Sequence, residues 1–359
     1  MRTHHRMIAL AVTGVVALGL TACAGGEADA GDDNVSITLV QGTTALPFAQ
    51  TTAAGAKAAI AEVGGVHLEV AGPANIDPAT EVKIFQQVVS TRPDGILLQE
   101  LPPDLFTRPV QDAEDAGITV LPYTIAPASD SSSTIFVGDN GFDIGRMGAD
   151  AVADALIAQH GSEDITGKIP TGICVPGLSV LTSRIDGFRE RMAERLPGVE
   201  VLEPFDSKSD PAQNFTVWQQ AVSANADAVA MMTPCEADVQ NLIKIKQDSD
   251  ATWQLAGFDI NDISLQGLRD GVIVGLFPQS SYLHGYVSAR LLAESLKNGT
   301  DLPKGWVAIE VIPVTAENVE EIAERESSPE AQAAYWKPYI DEIFAADTVA
   351  TRPLADANK

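Results

Sequence analysis

Short apolar runs alternate with longer amphipathic stretches through the chain from residue 35 onward. The runs are rich in Val, Ile and Leu, which is typical of strands buried on both faces of a sheet. One unit follows another about every 25 residues, the spacing of βαβ units that build a parallel sheet with helices on both faces. In the first part of the chain the pattern predicts strands at 35–40, 66–71, 95–98, 118–121 and 134–137, with helices at about 47–63, 78–91 and 103–116.

The same rhythm begins again near residue 168. Because the two halves share the rhythm but little identity, we predict an α/β fold with two doubly wound parallel-sheet lobes joined by a three-strand hinge. The second half predicts strands at 168–175, 199–202, 226–232, 253–257 and 272–277, helices at about 179–195, 211–224, 236–247 and 260–270, then a helix at 281–297 and a strand near 306–312. The predicted lobes are 35–139 plus 280–307 and 140–279 plus 308–314, with crossings expected at 138–141, 277–281 and 305–309.

A helical extension is predicted at the end of the chain, over residues 315–359. Residues 317–326 are highly charged, whereas residues 331–344 carry aromatic and aliphatic side chains, Trp336 and Tyr339 among them, at helical spacing. One interpretation is a helix that docks onto one lobe. The other is a contact face for a partner protein.

The first segment is predicted to be an export signal. A basic start precedes an uncharged, mostly apolar run at 7–20, which is shorter than the about 20 residues that a membrane-spanning helix needs. The run leads into Leu-Thr-Ala-Cys at 20–23, which resembles the lipobox of bacterial lipoproteins. The resemblance implies a signal peptide at 1–22 and a diacylglycerol on the sulfur of Cys23. The residues after Cys23 are small and acidic with nothing to bury, so 23–34 is predicted to be the lipid anchor and a flexible tether. The alternative is an ordinary secretory signal with an incidental Cys.

The charge balance and the missing motifs restrict the function further. The chain has 23 Lys and Arg against 49 Asp and Glu, a net charge of −26, which argues against nucleic acid because phosphates need cationic side chains to displace their counterions. Export removes the supply of ATP and NAD. The sequence also lacks a phosphate loop, a dinucleotide-binding glycine motif, a serine nucleophile elbow and a paired-histidine motif. We therefore expect a binding protein without cofactor or metal rather than an enzyme.

Two facing lobes of this kind suit the capture of a ligand. In open α/β sheets, ligands bind outside the carboxyl ends of the strands, so with two such sheets the ligand lies in the cleft between them. Contacts to both lobes exist only when the cleft is shut. The ligand therefore favours the closed state through hinge closure.

Several short segments resemble one family, the sugar-binding proteins of bacterial ABC importers of the ribose- and galactose-binding type (periplasmic binding protein type 1). The resemblance covers about residues 35–315 and implies both the two-lobed fold and sugar capture. The segments that carry it are Pro-Phe at 47–48, Pro-Asp-Gly-Ile-Leu-Leu at 93–98, Val-Gly-Asp-Asn at 137–140, Gly-Arg-Met-Gly at 145–148, Arg-Ile-Asp-Gly-Phe at 184–188, Gly-Phe-Asp at 257–259 and Gln-Ser-Ser-Tyr-Leu-His-Gly-Tyr at 279–286.

The resemblance also implies ligand-binding residues. Phe48 would stack on the C–H face of a sugar, or else belong to the core. Asn140 would donate to and accept from hydroxyls, or else order a turn, and Asp259 would accept from two hydroxyls, or else cap a helix. Arg184 would contact the ligand or pair with a carboxylate at the start of its helix, with Thr182 as the neighbouring candidate. The other implied contacts are Gln279 in a crossover, Glu100 or Gln99 after the third strand, Thr233 where the family has Asn, and Tyr123 at the fourth strand end.

The chain departs from the ribose type at two strand ends. The Asp-Arg hydroxyl clamp of that type corresponds to residues near Tyr123, Thr124 and Ile125, and its Asn-Asp pair becomes Thr233 and Pro234. Fewer charged groups would line the cleft. Ribose is therefore disfavoured, and another pentose or hexose, a polyol, or a more apolar sugar-like ligand fits as well.

Cys174 and Cys235 are predicted to form a disulfide. They follow the first and third strands of the second lobe, which are neighbours in a sheet of order 2-1-3-4-5. Adjacent strands lie about 4.8 Å apart, within disulfide reach, and an exported protein meets an oxidising environment. Two buried free thiols are the alternative.

These features predict an extracytoplasmic solute-binding lipoprotein, at the outer face of the cell membrane or in the periplasm. It would capture a small neutral sugar or polyol and deliver it to the transmembrane subunits of an ABC permease. We expect a monomer that touches the membrane only through its lipid anchor and binds no nucleic acid. The alternatives are a sensor that presents its ligand to a membrane signalling protein, and an exported sugar-processing enzyme, which would need two carboxylates converging in the cleft.

Overall fold

The computed structural model describes residues 35–249, 251–346 and 348–358, all within one compact unit. The predicted signal peptide, lipidated Cys23 and tether lie outside the described residues. Within the described ranges, no helix combines the length and the apolar character needed to cross a membrane.

The first lobe is built on a parallel sheet. Its strands follow the order β2-β1-β3-β4, a bridge between Tyr123 and Val137 adds β5, and β13 pairs with β5. All these strands are parallel, but the chain adds β2 on one side of β1 and then β3 and β4 on the other, which makes this a doubly wound sheet. Its elements are β1 (Val35–Val40), α1 (Pro47–Val63), β2 (Val66–Ala71), α2 (Pro78–Thr91), β3 (Gly95–Leu98), a 3₁₀ turn (Pro103–Leu105), α3 (Thr107–Asp115), β4 (Thr119–Pro122) and β5 (Ile135–Gly138), joined later in the chain by α9 (Ser281–Asn298) and β13 (Gly305–Ala308).

The second lobe repeats this arrangement. Its first two strands are β6 (Gly167–Ile169), which pairs with β8 (Val199–Val201), and β7 (Gly172–Ile173), which pairs with β9 (Phe205–Asp206). On the other side, a bridge between Thr171 and Met232 connects to β10 (Ala230–Met231), and β11 and β12 continue the sheet in parallel. Val314 then adds an antiparallel bridge to Leu276. The elements are α4 (Gly141–His160), β6 (Gly167–Ile169), β7 (Gly172–Ile173), α5 (Ser179–Arg195), β8 (Val199–Val201), β9 (Phe205–Asp206), α6 (Pro211–Ala224), β10 (Ala230–Met231), α7 (Glu236–Asp248), β11 (Gln254–Gly257), α8 (Asp262–Arg269) and β12 (Gly275–Leu276).

Several predicted elements are shorter or divided in the structure. The predicted strand 168–175 is split into β6 and β7 around Pro170, which has no amide hydrogen for a strand ladder. The predicted helix 103–116 begins as a separate 3₁₀ turn before α3. The apolar runs at 226–232 and 272–277 contribute only β10 and β12, because the hydrogen-bonded ladder occupies a small part of each run.

Each sheet carries apolar cores on both faces. In the first lobe, α1 and α9 cover one face, and Phe85 of α2 meets Phe106 and Val110 on the other. In the second lobe, α4 and α5 cover one face, and α6, α7 and α8 cover the other around Trp218. Burial on both faces explains why a central strand such as β3 is a continuous apolar run, and the two covered sheets confirm the predicted doubly wound α/β fold.

Glycines let one pair of helices in each lobe cross with their backbones in contact. A Cβ on Gly55 of α1 would lie 2.1 Å from the carbonyl oxygen of Tyr282 in α9. A Cβ on Gly145 of α4 would lie 2.0 Å from the carbonyl oxygen of Arg184 in α5. Only a residue without a side chain permits either approach, so α5 is held at a distance set by Gly145.

A buried polar chain connects the three crossovers between the lobes. Asp139, which follows β5, accepts a hydrogen bond from the amide of Ser280 at 3.3 Å, and Ser280 Oγ donates to the carbonyl oxygen of Glu310 at 2.6 Å. The same oxygen of Asp139, Oδ2, also lies 3.1 Å from His284 Nε2, and His284 Nδ1 lies 2.8 Å from Thr124 Oγ1. The hinge segments are thereby joined to one another and to a residue at the end of β4.

The last part of the chain contacts both lobes. Helix α10 (Val319–Arg325) packs on α8 of the second lobe, where Glu320 and Arg269 form an ion pair at 2.6 Å. Helix α11 (Pro329–Ile343) packs on α9 of the first lobe through Trp336. The predicted helix at 331–344 is therefore present, and the charged stretch before it forms a second helix.

Candidate functional site

A cavity of about 380 Å³ lies between the lobes, within the range of about 300–1,000 Å³ typical of ligand sites. It opens at the carboxyl ends of strands from both sheets, where open α/β folds bind ligands. Most of its lining side chains are apolar. The first lobe contributes residues 46–48, 76, 99, 101 and 124–125, the second lobe contributes 174–175, 178, 180–181, 184, 209, 211, 234–237, 240–241 and 259, and Gln279 comes from a crossover.

Five of the predicted ligand-binding residues line this cavity: Phe48, Gln99, Arg184, Asp259 and Gln279. Phe48 is half-buried in the first turn of α1, outside the apolar cores, so the alternative of a core residue does not hold. Gln99 follows β3 and accepts a hydrogen bond from the amide of Gly42 at 3.2 Å. The cap of α8 is Asn261, so the capping alternative for Asp259 does not hold either.

Arg184 and Asp259 are charged cavity residues with unused hydrogen-bonding capacity. Arg184 is 4% exposed, its Nη1 donates to the carbonyl oxygen of Pro234 at 3.4 Å, and its Nε has no partner within the described residues. The carboxylate of Asp259 makes no hydrogen bond or ion pair within the described residues. Burial raises the pKa of Asp259, and the positive charge of Arg184 opposes that shift. Both side chains are thus available to a ligand.

Glu236 also lines the cavity, although the sequence analysis did not single it out. Its Oε1 accepts hydrogen bonds from Asn261 at 2.9 Å and Gln240 at 3.2 Å. Burial, followed by the negative charge of Asp259, raises the pKa of Glu236 to about 7. The available signal was its position at the start of the helix that follows β10, directly after Cys235.

Three predicted residues lie outside the cavity lining because their polar groups are already used within the fold. Asn140 caps α4 by accepting from the amides of Phe142 and Asp143, and it donates to the carbonyl oxygen of Asp356 at 3.2 Å. The remaining two are Thr182, which donates to the carbonyl oxygen of Leu178, and Thr233, which is fully buried and donates to Asp238 at 2.6 Å. The structure therefore gives their polar groups partners within the protein, and none of the three lines the cavity.

Two other predicted residues lie beneath the cavity rather than in it. Tyr123 is buried, and its hydroxyl donates to the carbonyl oxygen of Val40 at 3.3 Å. Glu100 is fully buried, with neither carboxylate oxygen hydrogen-bonded within the described residues. Of the two alternatives after the third strand, Gln99 therefore faces the cavity and Glu100 faces inward toward Glu81.

A disulfide joins Cys174 to Cys235, with Cα atoms 6.2 Å apart, and both residues line the cavity. It ties the ends of neighbouring strands at the floor of the second lobe. Within the described ranges, no group of three or more His, Cys, Asp or Glu side chains is placed to hold a metal ion.

The sequence of this chain is similar to those of known binding proteins. The chain matches the periplasmic binding protein domain family over residues 37–301. It is 23% identical over 230 residues to a xylose/arabinose-binding protein of Sulfolobus acidocaldarius, a match that covers 60% of this chain and 55% of that protein. The chain thus spans about half the length of this curated relative.

Solved structures share the fold at low sequence identity. An ABC transporter solute-binding protein from Burkholderia graminis, in complex with D-arabinose, is 24% identical with a TM-score of 0.71, covering 80% of this chain and 97% of that one. A glucose-galactose binding protein from Geobacillus stearothermophilus is 20% identical with a TM-score of 0.70, covering 79% and 98%. With a family match over more than half of its length, this chain belongs to the periplasmic binding protein domain family.

Proposed function

We propose that this protein captures a small sugar or polyol in the cleft between its lobes and delivers it to an ABC permease. The observation that carries the proposal is that two charged groups line one largely apolar cavity with capacity to spare. Arg184 is buried and its Nε has no partner within the described residues, and the carboxylate of Asp259 makes no hydrogen bond or ion pair within them. A donor and an acceptor suit hydroxyl groups, which do both. The half-buried ring of Phe48 suits the apolar C–H face of a sugar.

Closure of the lobes is part of this proposal. Ligand contacts from Phe48 and Gln99 on one lobe and from Arg184 and Asp259 on the other are made together only when the cleft is shut. The ligand therefore favours the closed state by its differential affinity. The permease partnership is supported by the ABC transporter solute-binding protein that shares the fold.

An extracytoplasmic location is proposed with this function. The family is extracytoplasmic, and the segment before residue 24 resembles a lipoprotein signal with Cys23 as the lipidated residue. The disulfide between Cys174 and Cys235 suits an oxidising environment. We propose a monomer held on the outer face of the membrane by its lipid chains.

A screen of pentoses, hexoses and polyols by thermal unfolding of the purified protein, followed by calorimetric titration, tests the proposal. A true ligand at 100 times its dissociation constant should stabilise the protein by about 2.7 kcal/mol. Asp259→Asn should weaken that ligand tenfold or more, because a hydrogen bond to a charged group contributes about 1.5–3 kcal/mol. The matched control is Asp262→Asn, an exposed aspartate three positions away that does not line the cavity.

Three results would contradict the proposal. The first result is that no sugar or polyol shifts the unfolding temperature. The second is that both aspartate variants bind the ligand as well as the wild type does. The third result concerns catalysis, since Asp259 and Glu236 both line the cleft as the enzyme alternative requires. Sugar recovered from the complex should therefore be chemically unchanged, and conversion to a product would favour the enzyme.

A further inference from the structure

A second, smaller chamber of about 70 Å³ adjoins the main cavity on the hinge side. The two share five lining residues, which are Pro47, Phe48, Glu236, Asp259 and Gln279. The far wall is different in origin, because it comes from the last residue of α10, the turn that follows it and α11. These residues are Arg325, Glu326 and Trp336, and they lie beyond the part of the chain that matches the family.

Arg325 in this wall is buried and held in place by its neighbours. Its side chain is 5% exposed, and the centre of its guanidinium lies 5.0 Å from the ring centroids of both Tyr335 and Trp336. Nε donates to Glu326 at 2.7 Å, and Gln332 donates to the other oxygen of Glu326 at 2.8 Å. The two Nη groups make no hydrogen bond within the described residues, so this oriented cation retains donors for a bound molecule.

Four other polar side chains of the chamber also have uncommitted groups. The side-chain amide of Gln279 and the hydroxyls of Thr51 and Ser281 make no hydrogen bond within the described residues, and neither does the carboxylate of Asp259. Donors and acceptors therefore surround one small space. A hydroxyl group uses both, whereas an anion would meet the carboxylates of Asp259 and Glu236, and an aliphatic group would leave every polar atom unpaired.

The size of the chamber limits what it holds. Because a buried water molecule needs about 10–15 Å³, the space suits a few water-sized groups and excludes a second sugar ring. A hydroxymethyl group consists of two such groups. Its carbon could lie against the ring of Phe48, which borders both chambers.

We propose that this chamber is a subsite for the exocyclic hydroxymethyl group of a hexose, and that the C-terminal extension contributes Arg325 to its recognition. The inference rests on the proposed function, since it specifies which sugars the cleft prefers. The main cavity would hold the ring between Phe48, Arg184 and Asp259. The extension would then be a third ligand-binding element beside the two lobes.

Two pairs of sugars isolate the hydroxymethyl group. D-Glucose is D-xylose with one such group added, and D-galactose is related to L-arabinose in the same way. In calorimetric titrations of the full purified protein, we expect the hexose of at least one pair to bind ten times more tightly than its pentose. Arg325→Met should reduce that ratio toward one. Thr51→Leu, which fills the chamber from a half-buried position on α1, should do the same without removing a buried charge.

Glu320→Gln is the matched control, because Glu320 lies on the same extension, pairs with Arg269 and does not line either chamber. Its ratio should equal that of the wild type. Pentoses that bind as tightly as their hexoses, or a ratio that Thr51→Leu leaves unchanged, would overturn the subsite while the proposed function stands. Failure of every sugar to bind would instead overturn the proposed function.

Discussion

Raising the pH from 5 to 9 should lower the free energy of unfolding by several kcal/mol, and Glu81→Gln should remove a large part of that loss. Glu81 and Glu100 are both 0% exposed, and none of their carboxylate oxygens has a hydrogen-bond partner within the described residues. Burial, together with the neighbouring Glu100, raises the pKa of Glu81 to about 9. Burial and the charge of Glu114 raise the pKa of Glu100 to about 8.

The direction follows from proton linkage. In the unfolded chain these carboxyls lose their protons near pH 4.5, whereas in the folded protein they keep them until pH 8–9. Below pH 4.5 both states are protonated and the stabilising contribution of the two carboxyls is fully present. It falls as the pH rises above 4.5 and is lost once the pH has passed the folded pKa values. Each unit by which a pKa is raised corresponds to about 1.4 kcal/mol. Because the pair is coupled, the two losses do not add independently.

Urea unfolding at pH 5, 7 and 9 measures this effect. Glu81→Gln replaces a protonated carboxyl with a neutral amide of similar shape, so its stability should depend less on pH than that of the wild type. The control is Glu200→Gln, an exposed position in β8. Equal pH slopes for the wild type and Glu81→Gln would show that the buried pair does not control alkaline stability.

Gly145→Ala should cost about 3 kcal/mol or more of stability, at the upper end of overpacking effects. The added Cβ would lie 2.0 Å from the carbonyl oxygen and 2.8 Å from the carbonyl carbon of Arg184, and 2.9 Å from the amide nitrogen of Phe188. These are backbone atoms of α5, which cannot rotate away as a side chain can. The helices must separate, and α5 would carry the Arg184 side chain away from the cleft.

The same variant therefore tests how the fold positions the site. Chemical denaturation should show the loss of stability, and titration with whichever sugar binds should show a loss of affinity at a temperature where the variant remains folded. Gly141→Ala in the same helix is the control, since its Cβ would meet nothing nearer than 3.3 Å. A Gly145→Ala protein with wild-type stability and affinity would mean that α4 and α5 adjust without moving Arg184.

Local pattern predicted more of the first lobe than of the second. The strand at 35–40, the helix at 47–63 and the strand at 95–98 have the predicted bounds, and the last of these is the continuous apolar run expected of a strand buried on both faces. In the second lobe, the apolar run at 226–232 exceeds the two-residue β10. Apolar character reports burial, whereas strand assignment needs backbone pairing, which the run does not encode.

The site could be predicted where a residue follows a strand and faces open space, as Asp259 and Gln99 do. Asn140 also follows a strand, but the cap of α4 and the carbonyl oxygen of Asp356 occupy its amide, and Asp356 is distant in sequence. Glu81 and Glu100 could not be recognised as buried. In so acidic a chain, a carboxylate usually lies at the surface, and only the tertiary packing shows otherwise.

The placement of α10 on one lobe and α11 on the other has a mechanical consequence. Only residues 326–328 link the two helices, and three residues span at most about 11 Å when fully extended. If the lobes open so far that the ends of the two helices move beyond this distance, one helix must detach from its lobe. The linker between α10 and α11 thus sets an upper limit on how far the two lobes can separate while both helices stay packed on them.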